Sequence, residues 1–205
     1  PEVFPALVSG DDARTPALSP QLLETFTRPI NGDPSAQFTS YLDDGEFARL
    51  LYDVVELGGG LSVLTGEVGT GKTTLARGLV DALDPARFRA ALVVNPLMPI
   101  PQLPGTILEE LGVAAPPRRN ADIPAEFAAL VASLDAQGVE PVLVLDEAHT
   151  LGRRHLEELR LLLNFEADDR KLFHLVLVGL PELERRLRAA APLDERVTMR
   201  CRLGR

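Results

Sequence analysis

At 205 residues, with 45% hydrophobic and 25% charged residues, the chain has ordinary globular composition and length for one sizeable α/β domain, alone or with an extension. A net charge of −9 argues against a general nucleic-acid binder, because attraction to phosphates needs a basic face. No apolar run approaches the roughly 18 residues of a membrane span, and the one cysteine, Cys201, excludes an internal disulfide and a cysteine-based zinc cluster.

The charge is unevenly spread. Residues 1–60 hold three Arg against ten acids, a balance of −7, and residues 181–205 hold seven Arg against four acids, a balance of +3. An arginine-rich end on an acidic body suits head-to-tail self-assembly or phosphate binding, and equally a solvated surface. The lone cysteine fits a reducing, cytoplasmic setting.

Residues 1–40 are rich in Pro, Ser, Asp and Gly without sustained periodicity and read as an extended or partly ordered leader. A domain is expected over residues 41–205. It opens with an amphipathic helix whose stripe is Phe47, Leu50, Leu51, Val54 and Val55. Residues 61–65 predict a short apolar strand, followed by a glycine loop and a helix carrying Leu75, Leu79 and Leu83. A second strand is expected over 90–95, closed by Pro96. Helices follow around 106–111, stopped by Gly112, and around 125–134. Residues 142–145, continuous in Val and Leu, predict a third strand buried on both faces. A helix with Leu156, Leu159 and Leu163 leads to a fourth strand over 175–178, and another helix over 181–188 follows. Val197, Met199, Cys201 and Leu203 alternate with polar residues like an edge strand. Strands separated by helices imply an α/β fold with a parallel sheet and right-handed crossovers.

The loop Gly66-Glu67-Val68-Gly69-Thr70-Gly71-Lys72-Thr73, continuing into Thr74, matches the P-loop pattern. Phosphate binding needs inward-facing backbone N–H groups, and glycine permits both the dihedrals and the close approach. The helix starting near Lys72 aims the positive end of its dipole at the anion. In this pattern Lys72 reaches the β- and γ-phosphates of ATP, and the Thr73 hydroxyl holds Mg²⁺. The glycines fall as G-x-x-G-x-G, which does not fit the dinucleotide fingerprint.

The run Val142-Leu143-Val144-Leu145-Asp146-Glu147 places two acids at the C-terminal end of a buried strand, where open α/β sheets build ligand sites. Asp146 is the candidate to complete the Mg²⁺ shell through water. Glu147 is the candidate to polarise the water that attacks the γ-phosphate. Asp146-Glu147-Ala148-His149 also spells the box of a large helicase class, but those enzymes need a second motor domain. His149 reads as a supporting or surface residue, and His155 and His174 as structural ones.

With both motifs in view, the sequence resembles the AAA+ ATPases of the general secretion pathway protein A (ExeA/GspA) family. The resemblance runs from about Asp33 to the end. It includes Asp33-Pro34-Ser35, Phe47-Ala48-Arg49-Leu50-Leu51-Tyr52, the glycine loop, Asn95-Pro96, Leu145-Asp146-Glu147-Ala148-His149, Leu156-Glu157-Glu158-Leu159, Asn164-Phe165-Glu166 and Leu177-Val178-Gly179-Leu180-Pro181-Glu182-Leu183. Transposition-helper ATPases share much of this pattern. The resemblance implies a P-loop NTPase core with a five-stranded parallel sheet in the order 5-1-4-3-2. It also implies ATP bound between neighbouring subunits of a ring or filament.

Residue by residue, it gives Asn95 the place of the polar group that can hold the catalytic glutamate in an inactive pose. A strand-end Asn making a turn before Pro96 fits equally. Arg196 takes the place of the arginine finger supplied in trans, where a fixed guanidinium stabilises charge on the transferring phosphoryl group; the alternative is a surface arginine paired with Asp194 or Glu195. Two departures stand out. Leu180 occupies the position where the family usually carries Gln, so turnover is expected to be slow, or the role to pass to a neighbour such as Asn164. The small helical lid is absent from this chain, as expected for part of a longer protein. The resulting expectation is an ATPase serving assembly or remodelling of a membrane-associated secretion system, cytoplasmic or peripheral to the inner membrane. A DNA-associated ATPase and an ATP-bound scaffold with negligible turnover are the alternatives.

Overall fold

The computed structural model describes residues 60–94, 96, 102–117, 119–164, 166–167 and 170–203. The expected leader, the helix through Phe47 and Val55, and Asn95 lie outside the described residues.

In chain order the elements are β1 (Gly60–Gly66), α1 (Lys72–Ala82), β2 (Phe88–Val93), α2 (Leu103–Glu110), α3 (Ile123–Ala136), β3 (Glu140–Leu145) and α4 (Arg153–Leu162). Then come β4 (Glu166–Ala167), β5 (Arg170–Lys171), β6 (His174–Gly179), α5 (Glu182–Arg188), α6 (Ala191–Asp194) and β7 (Val197–Leu203). Five strands form one sheet in the order β2-β3-β6-β1-β7, and β4 with β5 makes a separate two-residue antiparallel pair. All four pairings in the large sheet are parallel. Numbered among themselves, its strands run 5-1-4-3-2, the expected order.

Alternation along the strands sorts the core into two layers. Leu143 and Leu145 of β3, with Leu175 and Leu177 of β6 and Leu61 and Val63 of β1, face α2, α3, α4 and α5. Val142 and Val144, with Val176, Val178 and Leu64, face Leu75, Ala76 and Leu79 of α1. The Val-Leu-Val-Leu run therefore serves both layers, as a central parallel strand must. Each fully buried aliphatic side chain contributes about 1.5–3 kcal/mol relative to exposure. Phe127 of α3 meets Phe173 edge-on, with ring centroids 5.2 Å apart, closing the first layer at the start of β6.

Element boundaries differ from the sequence expectation by a turn or less. The second strand occupies Phe88–Val93 rather than 90–95, because Glu140 N–H bonds to the Arg87 carbonyl and starts the β2–β3 ladder early. Helix α2 begins at Leu103, with Pro104 in its first turn, where a missing N–H costs nothing. It ends as expected at Gly112, whose φ of 99° lets the following Val113 N–H reach back to the Leu108 carbonyl. The β4–β5 pair and the short α6 had no periodicity long enough to register in the sequence.

Candidate active site

Thr65 pairs with Gly179, Leu145 with Leu177, and Val93 with Leu145, so β1, β6, β3 and β2 all end on the same edge of the sheet, with β3 and β2 stopping two residues short of β6. The glycine loop, Leu180 and Asp146 all leave the sheet on that edge. β6 lies between β1 and β3, which separates their ends by two strand spacings, roughly 10 Å.

Loop closure rests on the glycines. Gly69 and Gly71 hold φ of 83° and 82°, and a Cβ on Gly66 would lie 2.7 Å from Thr70 Oγ1. The Thr70 hydroxyl donates to the Glu67 carbonyl at 2.9 Å, and the buried Lys72 ammonium donates to the same carbonyl at 2.7 Å. Helix α1 begins at Lys72, with Leu75 N–H bonding to the Gly71 carbonyl. Thr73 is half-buried in its first turn, Thr74 is exposed, and Glu67, Val68 and Gly69 form the exposed tip. Lys72 is thus held at the loop by a neutral carbonyl. A phosphate oxygen would compete with that acceptor on favourable terms, since charge-assisted bonds are about twice as strong.

Asp146 is 1% exposed. Its N–H bonds to the Val93 carbonyl at 3.0 Å, and its Oδ1 accepts the Glu147 N–H at 2.8 Å. Oδ2 has no hydrogen-bond partner among the described residues. A buried carboxylate oxygen left unsatisfied costs free energy unless a ligand or water meets it. A hydrated Mg²⁺ suits such an oxygen, because the ion keeps several waters and takes one or two carboxylates plus phosphates.

Glu147 is the one non-glycine residue with positive φ among those described, at φ 56° and ψ 28°. Left-handed backbone costs a side-chain-bearing residue on the order of 1–3 kcal/mol and persists only where neighbours impose it. Here they do. The Glu147 N–H is held by Asp146, and its carbonyl accepts both the Thr150 N–H at 2.9 Å and the Thr150 hydroxyl at 2.7 Å. Buried Ala148 anchors the 3-10 turn Ala148–Thr150 in the core. The reversal turns the Glu147 side chain, 42% exposed, out of the strand line.

Two contacts at this edge were not foreseen. The buried Thr65 hydroxyl, just before Gly66, donates to Glu184 Oε1 of α5 at 3.0 Å. His149 packs against Gly179 and accepts the Leu180 N–H through Nδ1 at 3.4 Å, while its Nε2 lies 3.6 Å from Glu147 Oε2. A polar strand residue before the glycine loop was the available signal for the first; nothing local signals the second.

The arginine-finger candidate lies elsewhere. Arg196 immediately precedes β7, whose Val197 pairs with Leu61, so it sits at the opposite end of β1 from the glycine loop. From Leu61 to Gly66 is five residues, roughly 16 Å of strand. Half-buried Arg196 donates through Nη1 to the Leu163 carbonyl at 3.1 Å. Of the two acids offered as alternative partners for Arg196, Asp194 is paired with Arg200, at 2.8 Å. Asn164 follows Leu163 at that same far end of the sheet and is exposed there. The expectation that it substitutes for a Gln at position 180 is therefore corrected.

Comparison with known proteins adds to this geometry. A family model described as "AAA domain" matches residues 55–187. The chain is 37% identical over 180 residues to general secretion pathway protein A of Aeromonas hydrophila, covering 85% of this chain and 32% of that protein. The fold is similar to that of the Aeropyrum pernix ORC2 protein, solved in ADPNP–ADP complexes. That match has a TM-score of 0.64 and 20% identity, covering 79% of this chain and 47% of the other. It is also similar to Cdc6p from Pyrobaculum aerophilum, with a TM-score of 0.57 and 23% identity, covering 79% and 49%. The chain thus spans about a third of the curated relative and about half of the solved chains.

Proposed function

Because the chain belongs to the AAA domain family, we propose that it binds Mg-ATP and hydrolyses it to ADP and phosphate. The observation that carries this reading is the orphaned, buried Asp146 Oδ2 on the same sheet edge as the glycine loop and Lys72. In this reading the Gly66–Thr74 backbone and Lys72 hold the β- and γ-phosphates. The Thr73 hydroxyl and Asp146 hold Mg²⁺, which when bound neutralises charge developing on the phosphates. Glu147 accepts a proton from the attacking water, and its turned-out carboxylate has the exposure to meet that water.

Arg196 is proposed as the residue a neighbouring subunit supplies, because its place across the sheet puts it out of reach of its own glycine loop. Self-association into a ring or filament then completes the site. The likeness to general secretion pathway protein A supports coupling of this cycle to a membrane-associated secretion system. No helix among the described residues is long and apolar enough to cross a membrane.

A phosphate-release assay tests the reading. The parent chain with Mg²⁺ and ATP is expected to turn over. Lys72→Ala loses ATP binding, and Glu147→Gln binds ATP but hydrolyses it about 10²-fold or more slowly, leaving a measurable residual rate. Equal rates for the parent and Glu147→Gln would exclude the general-base role. Acceleration by duplex DNA would move the protein to a DNA-associated role instead.

A further inference from the structure

The arrangement around Gly179 carries an inference about a residue given no role above. We propose that His149 is a positioning residue for Glu147, holding its carboxylate through Nε2–H while the backbone N–H of Leu180 fixes the imidazole. The proposal rests on the ATP-hydrolysis reading, in which Glu147 is the base.

Three observations support it. First, the His149 ring is oriented from its far side. Leu180 N–H has one proton to give and points it at Nδ1, so Nδ1 is an acceptor and the neutral ring carries its proton on Nε2. Nε2 itself lies 3.6 Å from Glu147 Oε2, beyond hydrogen-bond length, so the proposed contact forms when the 42% exposed carboxylate approaches the ring. Second, the ring has space because β6 ends in glycine. A Cβ on Gly179 would lie 2.9 Å from the His149 backbone N, 3.3 Å from its Cβ and 3.4 Å from Nδ1. Third, the left-handed Glu147 and the 3-10 turn after it bring residue 149 back over the end of β6. A continued strand would carry it away.

The consequence bears on Leu180. Its aliphatic side chain cannot orient water or phosphate, but its main-chain N–H is independent of side-chain identity. Through His149, that N–H links the end of β6 to the Glu147 carboxylate. The strand between the glycine loop and the acidic pair thereby controls the base without a polar side chain of its own.

The test compares His149→Ala and His149→Gln in steady-state ATP hydrolysis, each also in a Glu147→Gln background, together with ¹⁵N NMR of the His149 ring. His149→Ala is expected to lower kcat by roughly 10-fold, the scale for losing an orienting partner, with KM for ATP within about twofold. Gln offers an acceptor for Leu180 N–H and a donor for Glu147, so His149→Gln should recover much of the loss. In the Glu147→Gln background, His149→Ala should cost nothing further, and the ring should show the Nε2–H tautomer. An unchanged kcat, a parallel rise in KM, an equal loss in the Glu147→Gln background or the Nδ1–H tautomer would each overturn the proposal. If the parent chain shows no turnover, the ATPase reading fails, and the tautomer still decides where His149 points.

Discussion

Replacing Gly179 by alanine adds one methyl group where β6 passes beneath the Ala148–Thr150 turn. Gly179 has no positive φ, so the cost is steric rather than conformational. The new Cβ would sit 2.9 Å from the His149 backbone N, against 3.4 Å at the near edge of ordinary contact, so the two must separate by about 3.4 − 2.9 = 0.5 Å. Neither side yields easily. Gly179 is paired in register with Thr65, and the turn is fixed by Ala148 in the core and by two Thr150 bonds to Glu147. Overpacking of this kind costs about 1–3 kcal/mol. For a domain of this size that is a melting shift of roughly 2–4 °C per kcal/mol. The shift falls two residues from Glu147, and misplacing a reacting group by about 1 Å can cost 10²-fold. ATP turnover should therefore fall by about tenfold or more, beyond what lost folded protein explains. Urea unfolding and phosphate release, measured on the same preparation, check both numbers. A Gly179→Ala protein with stability within about 0.5 kcal/mol of the parent and unchanged turnover would refute the packing argument.

Other outcomes follow from the same geometry. Burial, with a smaller contribution from Lys171, lowers the pKa of His174 from 6.5 to about 4, so the ring is neutral where its Nε2 meets the Ser62 hydroxyl at 3.1 Å. The unfolded chain takes up this proton below about pH 6.5 and the folded one does not. The stability is therefore complete above that pH and is lost as pH falls towards 4, by about 2.5 × 1.36, or roughly 3 kcal/mol. In His174→Gln this component should vanish, seen as a flatter difference in unfolding free energy between pH 7 and pH 4; parallel curves would contradict it. Glu147→Asn places a residue tolerant of left-handed backbone at φ 56° and should gain about 0.5–1 kcal/mol in urea unfolding while abolishing hydrolysis. A marked loss of stability would show that the conformation is not strained. Arg196→Ala mixed with Lys72→Ala should regain part of the ATPase activity that each lacks, because one supplies the arginine and the other the glycine loop. No recovery in the mixture would exclude an arginine acting in trans.

What the sequence disclosed follows the range of the physics involved. The glycine loop and the Asp146-Glu147 pair are contiguous, and their residue types are dictated by backbone dihedrals and ligand charge, so spacing alone exposes them. The strands over 142–145 and 175–178 were legible because both faces are buried, leaving unbroken apolar runs. The start of β2 was missed because Arg89 is exposed between Phe88 and Ala90 and interrupts that signal. Pairings such as Thr65 with Glu184, or His149 with Leu180, join residues 119 and 31 positions apart. They depend on β6 lying between β1 and β3, which no local periodicity encodes. Gly179 looks like a strand-ending glycine in the sequence, and its packing role emerges only once the turn after Glu147 doubles back over it.

Strand order also has a consequence in time. β1 pairs with β6 and β7 alone, and Gly60 waits 174 − 60 = 114 residues for His174. At a synthesis rate of about 5–20 residues per second, the glycine loop leaves the ribosome roughly 6–20 s before its strand has a neighbour. β2 and β3, whose pairing Phe88–Glu140 closes after 52 residues, can form a ladder first. The most recognisable segment of the chain is thus among the last to be framed, and a nascent chain ending before β6 carries the loop without the sheet edge that shapes it.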